Sequence, residues 1–229
     1  MTEDQFKAHW EFFRANSDGR FELQEQDQIP RLNNDTGGHD FCPIYFMHTG
    51  WAARCLMASR PKEHVDFGGL FYFTGIASAI CPIKFYDIQV PNIQMPGVSV
   101  GRADLTKLPL KDGELKSISC MHVTEHIGLG RYGDAIDIQG DLKAAGELNR
   151  VLAPGGQLLF VAPLIGKPKI EFNAHRIYSY DQIIGMFPDL ILQEFTLIES
   201  PQYLPMADPN RARKLTGEGA GCFWFRKKD

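Results

Sequence analysis

Apolar positions along this chain change period several times, and each change marks an element. In DQFKAHWEFFRA (4–15), Phe6, Trp10 and Phe13 fall on one helical face, so the segment predicts an amphipathic helix. The polar run LNNDTGGHD (Leu32–Asp40) predicts a loop, and residues 44–58 a second, more apolar helix that stops before Pro61. From His64 onward strand and helix signals alternate. Short strands are expected at HVDFG (64–68), IKFYDI (83–88), VSVGRAD (98–104) and LKSISCMHV (115–123), with an apolar helix over Leu70–Ile80. A striped helix over 141–152 ends at Pro154-Gly155-Gly156. A buried strand at 157–164, a helix at 179–187 and strands at 190–198 and 219–227 complete the pattern.

Alternation of this kind predicts an α/β fold, a doubly wound and mainly parallel sheet with helices on both faces. The reading divides the chain into an N-terminal helical cap, 1–62, and one compact α/β unit, 63–229. Ligands of such sheets sit beyond the carboxyl ends of the strands, near the point where strand order reverses.

Composition narrows the function. At 44% hydrophobic and 23% charged, the 229 residues match an ordinary globular protein. A net charge of −4 gives no global attraction to a nucleic-acid backbone or an anionic membrane, so neither partner is expected. The local cluster Arg211, Arg213 and Lys214 reads as a solvated face. The longest apolar run, Leu70–Ile83, is 14 residues and too short to span a bilayer. MTEDQFKAHWEFF lacks the apolar core of a secretory signal. Cys42, Cys55, Cys81, Cys120 and Cys222 are odd in number and form no CxxC pair, so a reducing, cytoplasmic setting is expected.

Two constellations carry chemistry. Asp66 closes the first strand and precedes Gly68 and Gly69, and Asp87 follows 21 residues after Asp66 at the end of the second. That spacing suits a nucleotide site, with backbone close to the ligand after one strand and a carboxylate on ribose hydroxyls after the next. The second constellation is HVTEH: His122, Glu125 and His126 spell the H-x-x-E-H pattern of inverzincin proteases. A protease needs a long helix here, and Gly128 and Gly130 interrupt it at once, so the peptidase reading fails. Arg131, Tyr132, Asp134 and Asp137 crowd the following glycine-rich loop and are expected to contact substrate, with Arg176 and Tyr178 facing them. His9, His39, His48 and His64 read as surface or satisfied core histidines, and Trp10, Phe12 and Phe13 as helix packing.

Four blocks in order, GRADLTKLPLKDGELKSISCMHVTEHI followed by ELNRVLAPGGQLLFVAP, resemble the class I S-adenosylmethionine-dependent methyltransferases over about residues 60–200. The Glu125–Asp134 block EHIGLGRYGD and Phe172–Ser179, FNAHRIYS, resemble a branch of that superfamily with no established substrate. The resemblance implies a seven-stranded sheet ordered 3-2-1-4-5-7-6, its last strand antiparallel, with the N-terminal helices capping the cofactor side. It implies S-adenosylmethionine as cofactor, held by Asp66, Gly68, Gly69, Asp87, Asp104, Leu105 and His122. Leu70 and Tyr72 occupy the second and third glycine places of the family's first loop. Some sugar-directed members carry E-x-x-E-H around a divalent ion. By that resemblance His122, Glu125, His126 and His175 would bind zinc, manganese or iron in preference to magnesium. The expected reaction is methyl transfer to an oxygen nucleophile of a small molecule or glycan, a sugar hydroxyl foremost. His126 or His122 is the expected base, and Glu125, His175 and Arg176 complete the catalytic set. Two other readings stand beside it, a degenerate methyltransferase acting as a binding module and a metal-dependent hydrolase or lyase using the same histidines. Oligomeric state is left open.

Overall fold

The computed structural model describes residues 1–20, 23–32 and 41–229, so most of the expected 32–40 loop, with His39, lies outside the described residues. Two compact units separate between Phe41 and Cys42. In the first, helix α1 (Glu3–Ala15) starts on a capping box in which Thr2 and Gln5 satisfy each other's backbone amides. Arg14 near its end pairs with Glu25 at 2.9 Å.

The second unit is a large mixed sheet with helices on both faces. Strands β1 (His64–Phe67), β2 (Ile83–Asp87), β3 (Val98–Arg102), β4 (Leu115–Met121) and β5 (Leu152–Leu164) are mutually parallel, in the order β3-β2-β1-β4-β5. Between β5 and β10 (Gly219–Lys227) the direction changes, because β10 runs antiparallel to β5 and to β8 (Leu190–Glu199). Beside β8 lies β9 (Gln202–Leu204), which makes the sheet eight-stranded where seven strands were expected. A separate two-stranded hairpin, β6 (Lys169–Glu171) and β7 (His175–Ile177), rises from the end of β5. Strand order reverses at β1 and β4, so the crevice above their carboxyl ends is the place where a ligand fits this topology.

Each face has its own core. Helices α4 (Gly140–Val151) and α5 (Tyr180–Met186) cover one face, burying Leu148, Val151 and Ile183 against Ile118, Phe160 and Phe223. On the other, α2 (Pro43–Ser59) and α3 (Phe71–Ala77) bury Trp51, Leu56 and Phe73 against Leu159, Val161 and Cys222. Helix α2 is therefore a layer of the sheet domain, and its first turn brings Tyr45 to the cavity. The boundary falls at 41/42 rather than 62/63 because Trp51 is buried and donates its indole N–H to Glu194 of β8 at 2.8 Å. The Pro154-Gly155-Gly156 segment, expected to end the α4 helix, lies inside β5 as a bulge. Leu115 faces Leu152 while Ser117 faces Gln157, so β5 takes up three extra residues there. No helix among the described residues is long and apolar enough to cross a membrane.

If α2 belongs to the sheet domain, Trp51→Ala should destabilise the protein by roughly 3–5 kcal/mol, the usual loss for a buried tryptophan. Removing residues 1–41 should shift the denaturant midpoint far less. Urea unfolding of both variants checks this; a larger loss on truncation than in Trp51→Ala would contradict the boundary.

Candidate active site

A turn that only glycine tolerates opens the site. After β1 the backbone passes through Gly68 (φ 65°) and Gly69 (φ 84°), both left-handed. A side chain at Gly69 would place its Cβ 2.7 Å from the Met121 carbonyl, and one at Gly68 would press on Val123 and approach the Asp87 carboxylate. The turn is thus wedged against the end of β4, leaving its open side to a ligand. Leu70 follows as the residue before α3 and lines the cavity, whereas Tyr72 faces solvent. Of the two residues in the expected glycine places, one alone reaches the ligand side.

The cavity above the strand ends has a volume of about 810 Å³, the size of a small-molecule site. Gly68, Gly69, Asp87, Asp104, Leu105 and His122 all line it. Asp87 uses one carboxylate oxygen to accept the Gln89 amide at 2.8 Å, and the other faces Gly68. Asp104 accepts both the amide and the hydroxyl of Thr106, at 2.8 and 2.7 Å, through one oxygen. Asp66 is the exception among the expected cofactor residues. It is fully buried beneath the turn, where Thr74 of α3 and Ser119 of β4 donate to its two oxygens, and it does not line the cavity. Burial, reinforced by nearby Asp87 and opposed by those two hydroxyls, pushes its pKa up to about 7.

His122 leaves β4 in the left-handed region (φ 57°), an uncommon backbone for a non-glycine residue. There its Nδ1 lies 2.8 Å from Oε1 of Glu125, whose carboxylate is buried. Because a carboxylate only accepts, Nδ1 carries the proton and Nε2 holds the lone pair. That Nε2 has no hydrogen-bond partner among the described residues. Tyr45 and His48 of α2 pack their rings at 5.2 and 5.1 Å from the His122 ring. Burial lowers the His48 pKa to about 3, so its ring is neutral and adds no charge beside His122. Tyr45 and His48 stand three apart on one helical face, the sequence signal by which they are recognisable as a pair.

His126 is oriented separately. Its Nδ1 donates to the Ala174 carbonyl at 2.7 Å, a carbonyl that Arg131 also holds at 3.1 Å. His126 lines the cavity, and His175 lies behind it, its ring edge-on to the His126 ring at 6.0 Å and its Nε2 3.5 Å from Glu218. Among the described residues, no group of three ligand atoms within 4.8 Å of one another includes His122, Glu125 or His126, although the Nδ1 bonds to Glu125 and Ala174 leave both Nε2 atoms as the ligand-type nitrogens. Arg176 is buried and donates to the carbonyls of Ile127, Asp137 and Ile138 at 2.6, 3.3 and 3.4 Å. It positions the glycine-rich loop and does not line the cavity. Asp134 clips the same loop by accepting the amides of Gly128, Gly130 and Tyr132. Burial alone would raise its pKa; these amides hold it below the usual range. Gly128 is obligatory, since a Cβ there would lie 2.1 Å from the Asp137 carbonyl.

Comparison with known proteins agrees with this geometry. A family described as "Caenorhabditis protein of unknown function, DUF268" matches residues 104–198, from Asp104 through β8. No curated protein matches the chain. Among solved structures, the N-methyltransferase NodS of Bradyrhizobium japonicum WM9 is 14% identical with a TM-score of 0.59, over 82% of this chain and 98% of that one. The 1,6-didemethyltoxoflavin-N1-methyltransferase of Burkholderia thailandensis, solved with 1,6-didemethyltoxoflavin and S-adenosylhomocysteine, is 12% identical with a TM-score of 0.55 over 80% and 79%. The [4+2]-cyclase SpnF is 16% identical with a TM-score of 0.55 over 77% and 82%. The chain has the class I S-adenosylmethionine-dependent methyltransferase fold. SpnF shows that this fold alone does not fix the reaction.

The raised pKa of Asp66 has a measurable consequence. A carboxyl that is easier to protonate when folded contributes stability below its unfolded pKa, and that contribution falls away as pH rises to about 7. The Asp66 contribution should therefore decline between about pH 4 and pH 7, against the opposite trend of the buried neutral histidines His48 and His64, and it is read as the pH-dependent difference in stability between wild type and Asp66→Asn. An unchanged profile in Asp66→Asn, by urea unfolding across this range, would contradict the assignment.

Proposed function

We propose that this protein transfers a methyl group from S-adenosylmethionine to an oxygen nucleophile, a hydroxyl of a sugar or other small polyol. The observation that carries the proposal is the Glu125–His122 pair, whose Nε2 is unpartnered and shielded from solvent on a residue that lines the cavity. A hydroxyl must give up its proton as its oxygen forms a new bond, whereas a neutral amine needs no such help. A buried carboxylate that fixes the imidazole tautomer is the arrangement of a general base.

The residues fit the cofactor. The Gly68–Gly69 turn packs so tightly on the end of β4 that only glycine fits, which brings bare backbone to the cavity wall, and Asp87 has a carboxylate oxygen to accept ribose hydroxyls. Asp104 and Leu105 offer a polar edge and an apolar face for the adenine. When bound, S-adenosylmethionine supplies a methyl group already activated on sulfonium. The cavity lining carries Asp87, Asp104, Asp134 and Asp137 against Arg102 alone, an excess of negative charge that favours a cationic donor. The same charge disfavours phosphate-bearing acceptors, which supports a neutral hydroxyl compound over a nucleic acid. Tyr45 and Tyr132 line the acceptor side and offer ring faces for a sugar. Within this reading His122 takes the hydroxyl proton, Glu125 stabilises the imidazolium that results, and His126 orients the acceptor. The five free cysteines accord with a cytoplasmic setting for this chemistry.

The test is conversion of S-adenosylmethionine to S-adenosylhomocysteine against a panel of mono- and oligosaccharide acceptors. His122→Asn keeps a residue that tolerates the left-handed backbone but cannot act as base. It should lower kcat by about 10²–10⁴ and abolish the acid limb of the pH–rate profile, with cofactor affinity retained. Asp87→Ala should do the reverse, weakening cofactor binding by about 1.5–3 kcal/mol. Wild-type kcat in His122→Asn would return the pair to a scaffolding role.

A further inference from the structure

A second cluster of metal-ligating side chains lies on the rim, apart from the cavity. Glu171 and His175 are directly paired across the β6–β7 hairpin, so their side chains leave the same face. The turn between them is closed by the Ala174 amide donating to the Glu171 carbonyl at 2.6 Å. Glu218, immediately before β10, completes the group. One ligand atom from each of the three lies within 4.8 Å of the other two.

Independent of that proximity is the state of the histidine. Its Nε2 atom is shielded from solvent yet makes no hydrogen bond, although Glu218 Oε1 stands 3.5 Å away. A simple ion pair would close to a charge-assisted hydrogen bond of about 2.7–2.9 Å. Atoms sharing a first-row metal ion instead sit about 3.0–3.4 Å apart, since each lies near 2.1 Å from the ion. Lys169 occupies one oxygen of Glu171 at 2.6 Å and leaves the other free.

We propose that Glu171, His175 and Glu218 bind a divalent transition-metal ion, distinct from the cofactor cavity. One imidazole and two carboxylates with open positions suit zinc or manganese and make a poor site for magnesium, which favours all-oxygen shells. The ion would join the hairpin to the start of β10 on either side of Ala174, whose carbonyl orients His126 and Arg131. The proposal does not rest on the methyltransferase reading, because it is tested by metal alone.

The experiment is calorimetric titration of the chelator-treated full chain with Zn²⁺ and with Mn²⁺, together with thermal unfolding. The wild type should bind a single equivalent of at least one of the two ions and gain thermal stability on saturation. Glu218→Gln and His175→Ala should bind that ion at least about tenfold more weakly and lose the gain. His122→Asn should bind it like the wild type. Glu171 and Glu218 are exposed, so their variants keep the fold, which circular dichroism verifies. Absence of binding by both ions would overturn the proposal. So would wild-type affinity in both Glu218→Gln and His175→Ala, or loss of the bound ion in His122→Asn.

Discussion

The carboxylate of Asp66 fastens the three elements on which the site depends. From the end of β1 it takes hydroxyl hydrogen bonds from Thr74 of α3 and Ser119 of β4. The chain continues inward: Ser119 and Ser117 flank the two ring nitrogens of His64, Gln157 donates to Ser117, and Trp224 donates to Gln157. Every one of these groups is buried or nearly so, and each has a partner, the condition under which a buried polar network rigidifies a core and does not weaken it. With Asp66 ionised, hydrogen-bond accounting puts the His64 proton on Nε2, donating to Ser119, and leaves Nδ1 to accept from Ser117. Because β1, β4 and α3 are joined at this point, the Gly68–Gly69 turn is held against the Met121 carbonyl and His122 leaves β4 beside it.

Much of this was legible in the sequence, for identifiable reasons. The strands β1 to β5, β8 and β10 announce themselves through apolar runs bounded by glycine, proline and charge, and Asp87 and Asp104 stand at strand ends where the cavity opens. The three-residue strands β6, β7 and β9 are too short to show a period, and β9 adds the eighth strand. Spacing also says nothing about side-chain direction. Asp66 sits in the motif position of a cofactor residue, yet its side chain turns into the core. His175 packs edge-on against His126 but does not line the cavity, and its Nε2 lies nearest Glu218. Arg176, expected among catalytic groups, holds three backbone carbonyls instead. Tyr45 and His48 reach the site from a helix assigned by its pattern to a separate cap, because apolar content does not reveal which layer a helix joins.

The chemistry follows from the pairing of charge and geometry. A turn of two left-handed glycines, a carboxylate at the end of β2 and an acid-rich lining make a place for a cationic nucleoside. In the proposed reaction the Glu125–His122 pair is the base, its tautomer fixed by its partner. The fold by itself decides less, since solved structures sharing it include two N-methyltransferases and a [4+2]-cyclase. The reaction is decided by what lines the cavity, and here two histidines do, His122 and His126.

The most direct measurement is a crystal structure of the full chain grown with S-adenosylhomocysteine. The account predicts ribose hydroxyls on the Asp87 carboxylate, the adenine against Leu105 and the thioether sulfur on the His122 side of the cavity. A crystal with the cavity empty at millimolar ligand, or with the nucleoside bound away from Asp87, would contradict it.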